Sequence, residues 1–254
     1  MRVTVCGSSC SIPRPGRACS GYLVEADGTA LVIDLGSGAF ANVVKRCAAD
    51  ALDGIVITHM HADHFLDVVP LRYALKYGRR SNGRRIVLHL PPGGEELLRR
   101  LVAAFPREND SDFLDEVYDV RSYDPQGVLR IGSAALTFAP TAHYVPTFAV
   151  RCEVGAASIV YSGDTAPSPS VIRIARKAAA FFCEATLSRE EETELPRGHC
   201  SAREAADMAT HAGAKRLILT HYPATRAPAE IAAQARPHFA GPIDIADDGY
   251  TLTL

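Results

Sequence analysis

Apolar and polar positions alternate in pairs near the start of the chain. "RVTVC" reads as a strand, and "GYLVEADGTALVID" reads as two strands joined by a two-residue turn at Asp27-Gly28, the dipeptide favoured where both turn residues need positive φ. The period then lengthens: "GSGAFANVVKRCA" has helical spacing, "GIVIT" is a short buried strand, and "ADHFLDVVPLRYALKYG" is helical with a kink expected at Pro70. "RRIVLHL" and "EELLRRLVAAF" follow as strand and amphipathic helix. From Glu116 to Tyr161 the pattern is mostly strands: "EVYDV", "GVLRI", "AALTFAPT", "TFAVRCEV" and "ASIVYS". Helices and strands alternate again from Pro169: "SVIRIARKAA", "AFFCEA", "SAREAADMATHA", "RLILT", "APAEIAAQARPHF" and a final "YTLTL". No low-complexity linker divides the halves, so residues 1–254 are expected to form one α/β domain of two β-rich layers flanked by helices.

Composition narrows the function classes. At 47% hydrophobic and 22% charged residues, the chain of 254 is that of an ordinary globular protein, neither disordered nor fibrous. A formal net charge of -2 argues against nucleic-acid binding driven by bulk positive charge. The seven cysteines, an odd number with no C-x-x-C pair, read as reduced thiols of a cytoplasmic protein. No apolar run reaches membrane-spanning length and the N-terminus has no long apolar core, so neither anchor nor signal peptide is expected.

The chemistry concentrates in "THMHADH", Thr58 to His64, which holds three of the nine histidines and an aspartate. His59 and His61 alternate on an extended loop and can point the same way, while Asp63 and His64 stand at the turn into a helix. Two adjacent metal sites can share such a loop. Imidazole and carboxylate suit zinc, and iron or manganese less exclusively.

The motif resembles the signature of the metallo-β-lactamase-fold superfamily, whose members are four-layer αββα sandwiches with a one- or two-metal site at one edge of the sheets. The remaining residues of that pattern occur in order, each after a predicted strand: His143 in "PTAHYVP", Asp164 in "YSGDTAPS" and His221 in "LILTHYP". The resemblance implies two zinc ions, one held by His59, His61 and His143, the other by Asp63, His64 and His221, with Asp164 between them. Such a pair would sit roughly 3.5 to 4 Å apart and hold a water as hydroxide at neutral pH, the expected nucleophile. Asp63 would orient it and accept its proton.

The same fold serves several hydrolases, so the ligand set does not choose the substrate. "FFCEATL" and "RGHCSAREAA" resemble motifs of ribonuclease Z and its relatives, where a glutamate orients a histidine that serves the scissile phosphate; these imply Glu184 and His199. "SARE" independently fits a capping box at Ser201 to Glu204, with an apolar stripe at Ala205, Met208, Ala209 and Ala212 and a C-cap at Gly213. His199 thus falls just before a helix N-terminus, where an anion is favoured. The chain departs from ribonuclease Z in two respects: its motifs read "CEAT" and "HCS" where that family often has "HEAT" and "HST", and one segment is missing. The long Gly/Pro-rich arm that clamps tRNA, between the positions matching His143 and Asp164, is replaced by two short strands and a turn. A phosphodiester is therefore the expected substrate, a small molecule such as a cyclic nucleotide or an RNA, with pre-tRNA disfavoured; the alternative is a metal-stabilised binding protein without turnover. A homodimer is compatible with the family.

Four further features stay open at this level. The basic run Lys76 to Arg85 reads as a solvated turn or a contact to backbone phosphates. Arg226 holds a substrate anion or is an exposed loop residue. Asp34, in "DLGSG", supports the ligands from outside or simply forms a turn. His89, His211 and His238 match no ligand position and are expected to be structural.

Overall fold

A computed structural model describes residues 1–78, 83–105, 113–188 and 196–254. The first sheet contains β1 (Arg2–Gly7), β2 (Gly21–Ala26), β3 (Thr29–Leu35), β4 (Gly54–Val56), β5 (Ile86–Leu90), β6 (Tyr118–Ser122) and β14 (Thr251–Thr253), in the order β14-β1-β2-β3-β4-β5-β6. The second contains β7 (Leu129–Ile131), β8 (Ala134–Pro140), β9 (Phe148–Val154), β10 (Ala157–Tyr161), β11 (Ala180–Glu184), β12 (Leu217–Thr220) and β13 (Ile243–Ile245), in the order β13-β12-β11-β10-β9-β8-β7. Each sheet is antiparallel in one half and parallel in the other; the parallel runs are β3 to β6 and β10 to β13.

Helices α1 (Ala39–Val43), α2 (Ala62–Phe65), α3 (Val68–Tyr77) and α4 (Gly94–Ala103) belong to the first half of the chain, and α5 (Pro169–Ile174), α6 (Ala202–Ala212) and α7 (Pro228–Ala235) to the second. Alternation along the strands sorts the apolar side chains into three layers. Tyr22, Val24, Leu31, Ile33 and Val56 face Phe138, Val150, Ile159, Tyr161 and Phe182 between the sheets. Their neighbours Leu23, Val32 and Ile55 point the other way, toward the helices of the first half. Phe181, Cys183, Leu217 and Leu219 do the same toward α6 and α7. The result is the four-layer αββα sandwich that the sequence predicts.

The Asp27-Gly28 turn forms as expected, with φ of 47° and 77°. Pro70, however, does not kink a helix. The break lies earlier, at Leu66 and Asp67, and Pro70 occupies the first turn of α3, where its missing N–H is one that no intrahelical carbonyl would receive. Helix α1 is shorter than the pattern predicts; Gly38, at φ 90°, sets its start. β13 escapes the sequence pattern because three half-buried edge residues are too few to show alternation. The capping box and the αL Gly213 at the ends of α6 are present, and Ala205, Met208, Ala209 and Ala212 are buried.

Candidate metal centre

The residues that carry the chemistry leave the C-terminal ends of strands along one edge of the sandwich, the place where open α/β sheets bind ligands. β4 delivers Thr58 to His64, β8 delivers His143, β10 delivers Asp164, β11 ends on Glu184, and β12 delivers His221. Local backbone geometry tightens this edge. Five non-glycine residues among those described have positive φ, and three of them, Ser11, Asp34 and His221, touch the cluster or support it; the other two are Asp27 and Lys177. Such conformations cost about 1–3 kcal/mol each and persist where surrounding contacts over-determine them. Gly36 is required for a different reason: a Cβ there would lie 1.8 Å from the Asp63 carbonyl oxygen.

All seven predicted ligand residues converge. Ligand atoms of His59, His61, His143 and Asp164 lie within 4.8 Å of one another, as do those of Asp63, His64 and His221. Asp164 faces both groups. Its Oδ2 is 3.7 Å from His59 Nε2 and 3.8 Å from His143 Nε2, and its Oδ1 is 3.4 Å from both His64 Nε2 and His221 Nε2. Donors about 2.0–2.1 Å from a tetrahedral zinc lie about 3.4 Å apart, so these spacings fit a cation on each side of the carboxylate.

The hydrogen-bond network turns the imidazoles inward. Thr58 Oγ1 donates to Asp34 Oδ2 and so accepts from His59 Nδ1 at 3.1 Å. Asp34 Oδ2 accepts from His64 Nδ1 at 2.7 Å, Gly198 O from His143 Nδ1 at 2.7 Å, and Thr186 Oγ1 from His221 Nδ1 at 3.0 Å. With a proton on each Nδ1, the four Nε2 lone pairs are left for the cluster. His61 is reversed and presents Nδ1, 3.0 Å from His143 Nε2. Asp63 Oδ2 accepts from Ser11 N at 2.8 Å and stands 3.3 Å from His221 Nε2.

Electrostatics fit a cation. Burial lowers His59 well below its ordinary value and also lowers His61 and His143, keeping them neutral and able to ligate. Burial alone would also lower His64, but Asp164 and Asp34 outweigh it and raise the group. Asp63 and Asp164 show the converse: burial would raise both, yet the surrounding imidazoles hold them well below the usual carboxylate range. Two buried atoms aimed into the cluster, His59 Nε2 and Asp164 Oδ1, have no hydrogen-bond partner among the described residues. An unsatisfied buried polar atom costs about 1–3 kcal/mol, and a divalent cation between donors of this kind removes that cost. The residues present therefore fit the metal that the donor set implies.

Glu184 and His199 meet beside the cluster. Glu184 is fully buried; its Oε1 accepts from Thr165 N at 2.5 Å and from His199 Nδ1 at 3.0 Å. His199 Nδ1 is 3.9 Å from Asp164 Oδ2, and its ring lies nearly parallel to that of His221 with 6.1 Å between centres. Burial alone would lower His199, but Glu184 and then Asp164 push it up to about 9. Because Nδ1 is committed to Glu184, Nε2 is the nitrogen left to meet a substrate.

The open features resolve as follows. Asp34 supports the ligands: its carboxylate, fully buried, accepts from Thr58 N, Thr58 Oγ1 and His64 Nδ1. Arg226 is not an exposed loop residue, and its terminal nitrogens are engaged within the protein. It is buried, and its guanidinium donates to the Leu187 carbonyl at 2.9 Å and to Gln234 Oε1 at 2.8 Å, pinning the loop after β11. Part of the Lys76 to Arg85 run lies outside the described residues; Lys76 pairs with Glu116 and Arg84 with Asp53, as in a structural turn. His89 lies in β5, and His211 and His238 hydrogen-bond Asp207, all away from the cluster. Sequence reasoning missed Ser11, Thr58, Thr186 and Gly198 as supports. Thr58 and Thr186 were visible in "THMH" and "EAT", whereas Ser11 N and Gly198 O act through backbone atoms that residue type does not reveal.

Comparison with known proteins agrees with this geometry. A family model described as "Beta-lactamase superfamily domain" matches residues 29–222. An uncharacterized protein of Mycobacterium tuberculosis is 32% identical over 247 residues, 96% of this chain and 88% of that one. The Bacillus subtilis metallo-β-lactamase fold protein YhfI, whose crystal structure is known, superposes with a TM-score of 0.87 at 25% identity over 99% of each chain. A ribonuclease Z of Myxococcus xanthus is 29% identical over 305 aligned positions, covering 100% of this chain and 98% of its own. The chain thus belongs to the beta-lactamase superfamily of metal-dependent hydrolases, on its ribonuclease Z-like branch.

Proposed function

We propose that this hydrolase is a dinuclear zinc phosphodiesterase, with His59, His61 and His143 holding one ion, Asp63, His64 and His221 the other, and Asp164 both. Bound there, divalent cations supply Lewis-acid polarisation of a phosphoryl oxygen and a lowered water pKa. The observation that carries the reading is the buried Glu184 holding His199 Nδ1 at 3.0 Å over Asp164. A thioester or lactam hydrolase would leave that pair without a task. In a phosphodiester the pair has one: His199, protonated and fixed by Glu184, stabilises charge on a phosphoryl oxygen and gives a proton to the leaving alkoxide. Asp63, oriented by the Ser11 N–H, would accept the proton of the attacking water.

The size of the substrate follows from the connection between His143 and Asp164. It is filled by β9 and β10, a tight hairpin turning at Gly155, so no arm for a large RNA fits there. The Myxococcus xanthus ribonuclease Z alignment needs 305 positions against 254 residues here, so that relative carries insertions that this chain lacks. A small phosphodiester, cyclic nucleotides included, suits the compact site better than pre-tRNA. The test is a panel of phosphodiesters, thioesters and lactams run on protein of measured metal content, beside His199→Ala. Hydrolysis of bis(p-nitrophenyl) phosphate that is lost in the variant at unchanged metal content supports the reading. Fast cleavage of a 3′-extended tRNA overturns the size argument, and no turnover across the panel makes the protein a metal-stabilised binding module.

A further inference from the structure

The loop that supplies Ser11 to Asp63 has a second face. There it forms, with α1 and the Asp248-Gly249 turn, a cavity of about 400 Å³, within the range of small-molecule sites. None of the seven cluster residues lines it. Four cationic side chains do, Arg14, Arg17, Lys45 and Arg46, against a single carboxylate, Asp248, in a chain whose net charge is -2.

The carboxylate is engaged by the loop and α1, with no ion pair to these four cations. Asp248 Oδ1 accepts from Ser8 N and Ser8 Oγ, and Oδ2 from Ala18 N and Asn42 Nδ2, so both oxygens are filled in holding the loop to α1. Elsewhere on the surface, Arg2 pairs with Glu25, and Arg99 with Glu95 and Asp115. Here, among the described residues, Arg14, Lys45 and Arg46 make no ion pair. Arg17 is fixed, its guanidinium 4.2 Å over the Tyr222 ring and its Nη2 donating to Ser8 Oγ at 3.2 Å, with Asp247 at 3.5 Å. Its Nε is buried with no partner. A guanidinium held in place beside three cations that make no ion pair, in a concave site, suits phosphate oxygens.

We propose that this cavity binds a phosphate-bearing small molecule at a site separate from the metal centre. The probe is inorganic phosphate, measured by equilibrium dialysis of labelled ion against the metal-loaded protein at matched ionic strength in chloride. Wild type is expected to bind one equivalent more than Arg14→Ala/Arg46→Ala, in which the dissociation constant of the cavity class rises at least about tenfold, while metal content and hydrolysis of bis(p-nitrophenyl) phosphate stay unchanged. Arg14→Lys/Arg46→Lys, which keeps the charge, should retain part of the binding. Equal binding by wild type and the double alanine variant overturns the proposal, as does loss of the extra equivalent to chloride alone. If instead the metal centre takes up no phosphate, both proteins lose the same equivalent and the difference between them remains, so the two readings fail separately.

Discussion

Asp34→Asn isolates the support that the fold gives to the metal ligands. The substitution is nearly isosteric, and asparagine tolerates the left-handed backbone that position 34 adopts at φ 57°. In the wild type, Asp34 Oδ1 accepts from Thr58 N at 2.7 Å, while Oδ2 accepts from Thr58 Oγ1 at 2.8 Å and His64 Nδ1 at 2.7 Å. An asparagine that keeps its oxygen on Thr58 N turns its NH2 toward His64. His64 must then accept at Nδ1 and carry its proton on Nε2, where the lone pair for the metal should be. The lost interaction is a buried hydrogen bond to a charged group, worth about 1.5–3 kcal/mol. At about 1.4 kcal/mol per tenfold, the ion held by Asp63, His64 and His221 should bind about 10- to 150-fold more weakly. The same NH2 also meets Thr58 Oγ1, which must then turn its own proton toward His59 Nδ1, so the site of His59, His61 and His143 should weaken as well. Zinc competition against a chromophoric chelator resolves the two constants, and a thermal melt monitors the fold. Two unchanged constants in a folded protein would refute the reasoning.

Other perturbations have equally definite outcomes. His199→Ala should lower kcat by about 10²- to 10⁴-fold, the usual worth of a general acid, and Glu184→Gln by less, with zinc content retained in both by elemental analysis. Chelation should destabilise the fold: a ligand at 1,000 times its dissociation constant adds about 4 kcal/mol, and at about 2–4 °C per kcal/mol the metal-free melting temperature should fall by roughly 10 °C. Gly36→Ala should disorder the histidine loop, since its new Cβ meets the Asp63 carbonyl at 1.8 Å; a variant with normal zinc affinity and stability would contradict the packing described. His89 reports on acid stability. Burial, then Arg121, lowers it from 6.5 to about 4. The unfolded chain therefore takes up this proton before the folded one, so stability is intact above pH 6.5 and declines as pH falls toward 4, by at most on the order of 3 kcal/mol. Denaturant titrations of His89→Gln should show a flatter profile across that window.

Much of this centre was legible because its residues are rare and punctuate strands. Three histidines in seven residues after an apolar strand have no structural purpose, and His143, Asp164 and His221 each follow a strand, β8 with plain alternation and β10 and β12 as short runs buried on both faces. The layer order was legible for the same reason: Leu23, Val32 and Ile55 alternate with Tyr22, Leu31 and Val56, and period two assigns them to opposite faces. What stayed hidden depends on neighbours distant in sequence. The position of Pro70 depends on where α2 ends, and the burial of Arg226 on carbonyls about forty residues away. The strained backbones of Ser11, Asp34 and His221 leave no trace in residue type. Neither does the cavity beside α1, whose cations come from two separate segments.

The proposed dinuclear centre rests on seven side chains that would share two cations. Elemental analysis of purified, desalted protein by inductively coupled plasma mass spectrometry tests this most directly. Two equivalents of a transition metal per chain, zinc foremost, falling toward one in His221→Ala, are predicted; protein that holds no metal and takes none up on reconstitution would contradict the account.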